Sequence, residues 1–224
     1  MIVGSNSFNS RYAPIFAAME LPSKLLERTV SYFESLPGVG RRTALRYTLE
    51  LLKMNQEEAQ RFGQSITQLV NELGFCTICH NVSDDEVCQI CAHPKRDKGT
   101  ICVVEDLRDL LAIESTGQYY GVYHVLGGVI SPLDGVGPAD LHIETLLTRT
   151  ENAECKEIIF ALPATMEGDT TNFYLYKRLL DKPVKVTSLA RGVAIGNELQ
   201  YTDELTLGRS IQGRLLYENS MRNS

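Results

Sequence analysis

Two Cys-x-x-Cys pairs, Cys76-Thr77-Ile78-Cys79 and Cys88-Gln89-Ile90-Cys91, stand eight residues apart and constrain this chain more than any other feature. A Cys-x-x-Cys turn brings both thiols to one side. Two such turns complete a tetrahedral four-sulfur site, closed and therefore structural, of the kind that holds Zn2+. The short intervening loop implies a tight knuckle. The alternatives are four packed thiols and a redox pair; neither pair opens a helix after a strand, which counts against redox chemistry. His80 and His93 flank the pairs and could replace a sulfur, but four thiolates already satisfy zinc. Cys102 and Cys155 lie in or beside apolar strand-like stretches and read as core residues.

The 224 residues as a whole are 43% hydrophobic and 22% charged, an ordinary balance for a folded protein. No apolar run approaches the roughly 20 residues that span a bilayer, so no membrane role is expected. The polar opening lacks a secretory apolar core. Residues 1–19 read as a disordered N-terminal extension; a true start at Met19 and a tail retained in the mature chain both fit. Without a secretory signal, thiols used for metal and packing suit a reducing compartment such as the cytoplasm. Net charge is -6, which excludes a surface coated in positive charge for nucleic acid. Any nucleic-acid contact must come from a focused patch.

Apolar periodicity divides the chain into parts. Leu25, Leu26, Val30, Phe33 and Leu36 recur at helical spacing behind Ser23, a capping residue. Leu36-Pro37-Gly38-Val39-Gly40 must stop that helix, and a second is predicted over 41–54. Ala59, Phe62, Ile66, Leu69, Val70 and Leu73 predict a third, closed by Gly74. After Gly99, strands are expected at 101–104, 122–126, 157–162 and 184–189. Helices are expected at 107–115, 140–149 and 170–181. Such alternation implies βαβ units around a mostly parallel sheet. The expected divisions are a helical head at 20–74, the cysteine module at 75–98, an α/β body at 99–189 and a C-terminal segment at 190–224.

Helix, Pro-Gly-Val-Gly, helix is the form of a helix-hairpin-helix. Gly38 and Gly40 allow a tight turn whose backbone N–H groups, at the start of the next helix, favour a phosphate. Arg41, Arg42 and Arg46 follow, with Lys53 beyond, against the single acid Glu50. This is the focused basic patch, positioning DNA without reading its sequence; an ordinary hairpin with a solvated basic face is the plainer alternative. A second cluster, Lys95, Arg96 and Lys98, reads as surface charge.

In the α/β body, Glu105 ends the first strand, and Glu167 and Asp169 follow a later one. That is how Toprim domains hold Mg2+, an oxygen-seeking ion. Isolated strand-end acids are also common. If these acids did hold the metal, the chain would be a magnesium-dependent Toprim nuclease or other DNA-processing enzyme. No general base stands out, since His124 on a strand is more simply a packed residue. No GxxxxGK[ST] loop occurs, which counts against ATP hydrolysis.

Taken together, six stretches resemble the RecR family of bacterial recombination mediators. They are LPGVGRRTALR at 36–46, CTIC with CQIC at 76–91, ICVVED at 101–106, GVISPLDGVGP at 128–138, TMEGDTT at 165–171 and VTSLARGVAIGNELQYTDELTL at 186–207. The resemblance implies a multi-part α/β fold: an N-terminal helix-hairpin-helix, a four-cysteine zinc module, a Toprim-type mostly parallel domain and a C-terminal segment. It implies Gly38, Gly40, Arg41 and Arg42 for DNA, Cys76, Cys79, Cys88 and Cys91 for structural Zn2+, and Glu105 and Glu167 for the Toprim site. It further implies a binder rather than an enzyme. Such a protein acts with RecO and RecF to load RecA on single-stranded gaps in damaged DNA, as a dimer or ring-like tetramer. Pro163-Ala164 and Arg41-Arg42 stand where many members carry Asn-Pro and Pro-Lys; the second change keeps positive charge.

Overall fold

The computed structural model describes residues 21–193, 196, 198–214 and 216. The expected extension at 1–19 lies outside them. The chain divides into two compact units, 1–71 and 72–224.

In the first unit, α1 (Lys24–Glu34) begins where the Ser23 hydroxyl accepts from the Leu26 N–H at 3.4 Å. It ends ahead of the Pro-Gly turn. Gly38 has φ +78°, a backbone position that any Cβ would strain, and the Val39 N–H returns to the Leu36 carbonyl. α2 (Arg41–Leu51) starts after Gly40 and lies against α1 through Val30, Ala44 and Thr48, with Phe33 edge-on to Tyr47 at 5.9 Å. α3 (Gln56–Glu72) is set by a reciprocal cap between Asn55 and Glu58. The apolar face predicted for it is present but buries no residue: Phe62, Ile66, Leu69 and Val70 are all exposed.

The second unit opens with a small antiparallel pair, β1 (Gly74–Phe75) and β2 (Val82–Ser83), then α4 (Gln89–Ala92). A four-stranded sheet follows, built from β3 (Asp97–Val104), β4 (Gly121–Val125), β5 (Glu157–Ala161) and β6 (Lys185–Ser188). Its order is β4-β3-β5-β6 and every pairing is parallel. α5 (Leu107–Ser115), α6 (Ile143–Arg149) and α7 (Met166–Leu179) supply the crossovers. α8 (Glu204–Gln212) is the last described helix.

Alternation along β3 explains why both sheet faces are covered. Ile101 and Val103 join a core with Leu146, Ile158, Leu175 and Leu179, whereas Cys102 and Val104 join Leu110, Tyr123 and Val125. Cys102 and Cys155 are both buried core residues, as expected.

Two helix starts depart from expectation. α6 starts at Ile143, because Pro138–Asp140 forms a 3-10 turn in which the Asp140 carboxylate caps the Gly137 N–H at 2.8 Å. α7 starts at Met166 rather than 170, because the Thr165 hydroxyl accepts from the Gly168 N–H at 3.1 Å. Gly168 is required there: a Cβ would stand 2.0 Å from the Pro163 carbonyl oxygen. Glu167 and Asp169 consequently lie in the first turn of a helix, not in a loop.

Candidate functional site

The four cysteines predicted as ligands come together. Cys76 and Cys79 follow β1, Cys88 caps α4 and Cys91 lies within it, and all four are buried, at 0 to 5% exposure. Their sulfurs all lie within 4.8 Å of one another, with Cys79 and Cys88 3.6 Å apart. Zn–S bonds of about 2.3 Å in a tetrahedron require sulfurs roughly 3.8 Å apart, so the donor set fits. The knuckle is held by backbone bonds from the Cys76 N–H to the Asn81 carbonyl and from the His80 N–H to the Cys76 carbonyl. Burial opposes ionisation of Cys76, but N–H groups around Cys88, Cys79 and Ile78 outweigh it and bring the thiol down to about 7. Burial pushes Cys88 up to about 11. A bound cation, whose ligands must be thiolates, completes the set. A zinc ion held by Cys76, Cys79, Cys88 and Cys91 would supply a cross-link, with no open position for catalysis.

Arg96 corrects the reading of 95–98 as surface charge. Its guanidinium forms a two-pronged pair with Glu114 at 2.5 and 2.9 Å and donates to the Tyr119 and Gly121 carbonyls. The Tyr123 hydroxyl donates to the same carboxylate at 2.7 Å. The bond from Arg96 is the main reason Glu114 sits below the usual carboxylate range. Arg96 therefore anchors the entry to β3 on α5 and β4.

The three acids expected to hold magnesium are not gathered. Among the described residues, the cysteines form the one group of metal-ligating side chains close enough to share an ion. Glu105 directly follows β3, and burial, with Asp109 and Asp106 nearby, raises its pKa. Asp106 caps α5 and pairs with Arg108. Asp169 is already neutralised: Arg191 donates to it at 2.6 Å and Arg209 stands 3.6 Å away. The bond from Arg191 holds its carboxyl below the usual range. The magnesium expectation is not supported, because one of its three carboxylates serves to fasten the C-terminal segment. His124 is fully buried and pushed down to about 3, chiefly by desolvation. It is a packed residue, as anticipated.

In the head, α2 begins at Gly40 with no side-chain cap, leaving its first N–H groups without intrahelical partners. Arg41 turns back to Glu27 at 2.7 Å and Glu34 at 3.5 Å. Arg42 and Arg46 take part in no ion pair among the described residues, and Arg46 lies 5.5 Å from the Tyr47 ring centre. Together with Lys53 they line an open depression on α2.

Four family models match in chain order. They are the RecR helix-hairpin-helix at 26–70, the RecR four-cysteine zinc finger domain at 73–93, the Toprim domain at 99–190 and the RecR C-terminal model at 192–215. The protein named Recombination protein RecR from Bacteroides thetaiotaomicron is 54% identical over 202 residues, covering 90% of this chain and 98% of the relative. Those from Flavobacterium johnsoniae (50% over 206 residues, 92% and 100%) and Amoebophilus asiaticus (53% over 199 residues, 89% and 100%) are similar to the same extent. This chain belongs to the RecR family. The zinc finger match encloses the four clustered thiols, and the Toprim match takes in the four-stranded parallel sheet from the third residue of β3 onward.

Motif reading along the sequence named His80 and His124 but did not join them to each other, to His142 or to Arg149 behind the zinc site. His80, at φ +60°, stacks on His142 with ring centres 3.8 Å apart, and His124 lies edge-on at 5.3 Å. Arg149 donates to His124 Nδ1 at 3.1 Å and to the Tyr123 carbonyl at 2.7 Å. The residues come from three separate segments, the turn at His80, β4 and α6 with its cap, and no spacing rule links them.

Proposed function

We propose that this chain is a DNA-binding recombination-repair mediator that acts with RecO and RecF to help load RecA on single-stranded gaps, as a binder rather than a catalyst. The observation that carries the DNA contact is the start of α2. Gly38 and Gly40 shape the turn, the N–H groups of Arg41 and Arg42 lead the helix, and the Arg42 and Arg46 side chains carry charge that no acid neutralises among the described residues. Such a site grips phosphate. The Arg41 side chain, proposed for the same contact, also braces the two helices through Glu27 and Glu34. The acids Glu105 and Glu167 are proposed as part of the partner-facing end of the Toprim domain.

A self-assembled dimer or tetramer is part of this reading. The exposed apolar face of α3 supports it, because Phe62, Ile66, Leu69 and Val70 form a stripe that none of the described residues buries. A ring around DNA would also relieve a chain of net charge -6 from needing a broadly basic surface. No described helix is long and apolar enough to cross a membrane, in keeping with a cytoplasmic, nucleoid-associated place of action.

The test is DNA affinity as a function of salt. Replacing both Arg42 and Arg46 by alanine should weaken binding to gapped DNA and flatten the log–log salt slope by about 2. An unchanged slope would move the DNA site away from α2.

A further inference from the structure

Four buried thiolates around a dication leave a net charge of about -2, and buried charge is costly unless something nearby answers it. The side of the cysteine cluster that faces the sheet holds few cations. His124 is neutral: Arg149 donates to its Nδ1, so its Nε2 carries the proton and donates to the His142 carbonyl at 2.7 Å. His142 donates from Nδ1 to the Val125 carbonyl at 3.1 Å. Thr145 spends its hydroxyl proton on the His142 carbonyl, so His80 Nε2 must be the donor in its 2.8 Å contact with Thr145. Of the lysine and arginine side chains, Lys98 and Arg149 line a cavity of about 220 Å3 that Cys91 and Cys155 also line.

Arg149 is the better placed of the two. It is part-buried, its two hydrogen bonds fix it on β4, and it joins no carboxylate within 4.0 Å among the described residues. A permanently charged guanidinium drawn partly out of water without an acid finds its anion elsewhere. We infer that Arg149 is the outer cation of the zinc centre, compensating the four-thiolate charge and tying metal occupancy to the order of the α/β sheet. Burial drives the Arg149 pKa down, and Cys91 and Cys79 pull it back up.

The mechanical half of the link is equally specific. The Val125 N–H donates to the Cys79 carbonyl at 2.8 Å, so the zinc knuckle covers the outer edge of β4. Next in sequence, His80 holds the single positive φ found in a described non-glycine residue, stacked on His142. A strained backbone of that kind persists when its surroundings over-determine it. The knuckle is therefore fitted to β4 and α6 by main chain, by ring stacking and by charge.

The inference rests on zinc being the ion of the cysteine site, so zinc content is measured first on the full-length protein. Chelator competition then gives the Zn2+ affinity of the native chain, Arg149→Met and Arg149→Lys, with folding in excess zinc checked by circular dichroism. Arg149→Met should bind about 10- to 100-fold more weakly, the effect usual for a residue just outside the ligands. Arg149→Lys, which restores the charge, should recover most of the loss. Equal affinity in Arg149→Met, or equal loss in both variants, would overturn the assignment of charge compensation. Should Arg149→Met fail to fold, hydrogen exchange on the native chain decides. Stripping zinc should deprotect the amides of β4, Val125 foremost, and unchanged protection there would refute the coupling. A native chain that binds no zinc would instead remove the premise, and the inference with it.

Discussion

Arg191 and Arg209 both reach Asp169, Arg191 donating at 2.6 Å and Arg209 standing at 3.6 Å, so one carboxylate in the first turn of α7 fastens two points of the C-terminal segment. The acid that motif reading assigns to a metal is a clasp. Its pKa is lowered in the folded state, chiefly by Arg191. The stability it contributes is therefore present above the ordinary aspartate value, about 3.9, and is lost as pH falls through the lower folded value. The pairs are partly exposed, which keeps their worth to about 1 kcal/mol or less. Asp169→Asn should loosen the segment at pH 7, seen as faster limited proteolysis after 190. The native chain should resist cleavage at pH 7 and converge on the variant only in acid.

Arg96 and Glu114 are a different case, because their side chains are 18% and 25% exposed and share three further polar bonds. Removing one partner of such a pair leaves a charge with little water around it. Arg96→Ala should cost on the order of 3 kcal/mol, read as a lower urea midpoint with unchanged slope. A loss under about 0.5 kcal/mol, the level of ordinary surface substitutions, would mean that the pair is solvated in solution.

Zinc removal should unfold the cysteine module, since the metal supplies most of what holds a knuckle this small. Cys76→Ser or Cys88→Ser should lower bound zinc from one ion per chain to none or nearly none, by atomic absorption, and lower the melting temperature. Full zinc in either variant would show that His80 or His93 had replaced the lost sulfur.

The α3 face offers a prediction about assembly. Ile66→Glu with Leu69→Glu places charge on a stripe already exposed in the single chain, so helix content should hold. Light scattering should show a smaller particle than the native protein. An unchanged mass would place self-association on another surface.

What could be read along the sequence follows from how local each cause is. Two Cys-x-x-Cys turns carry their geometry within a few residues, so the zinc site was legible. The Pro-Gly-Val-Gly break and the alternation of Ile101 to Val104 are equally local, and they place the head and the sheet. Asp169 misled because its partners lie 22 and 40 residues further on, at Arg191 and Arg209. The start of α7 was placed late although the signal was present: Thr165 followed by Gly168 is a capping residue with its donor. Arg96 was hidden by its neighbours Lys95 and Lys98, since a run of charge gives no sign of which member turns inward. Arg149, His80, His124 and His142 are joined only by the folded sheet.

The central claim is mediation, and it is tested most directly by loading. The purified chain, RecO from the same organism and gapped DNA coated with single-strand-binding protein are mixed, and the rate at which RecA displaces the coat is followed. Faster loading only when the native chain is present, diminished in the Arg42→Ala, Arg46→Ala variant, is the predicted result. The same rate with and without a folded, zinc-loaded chain would contradict the account.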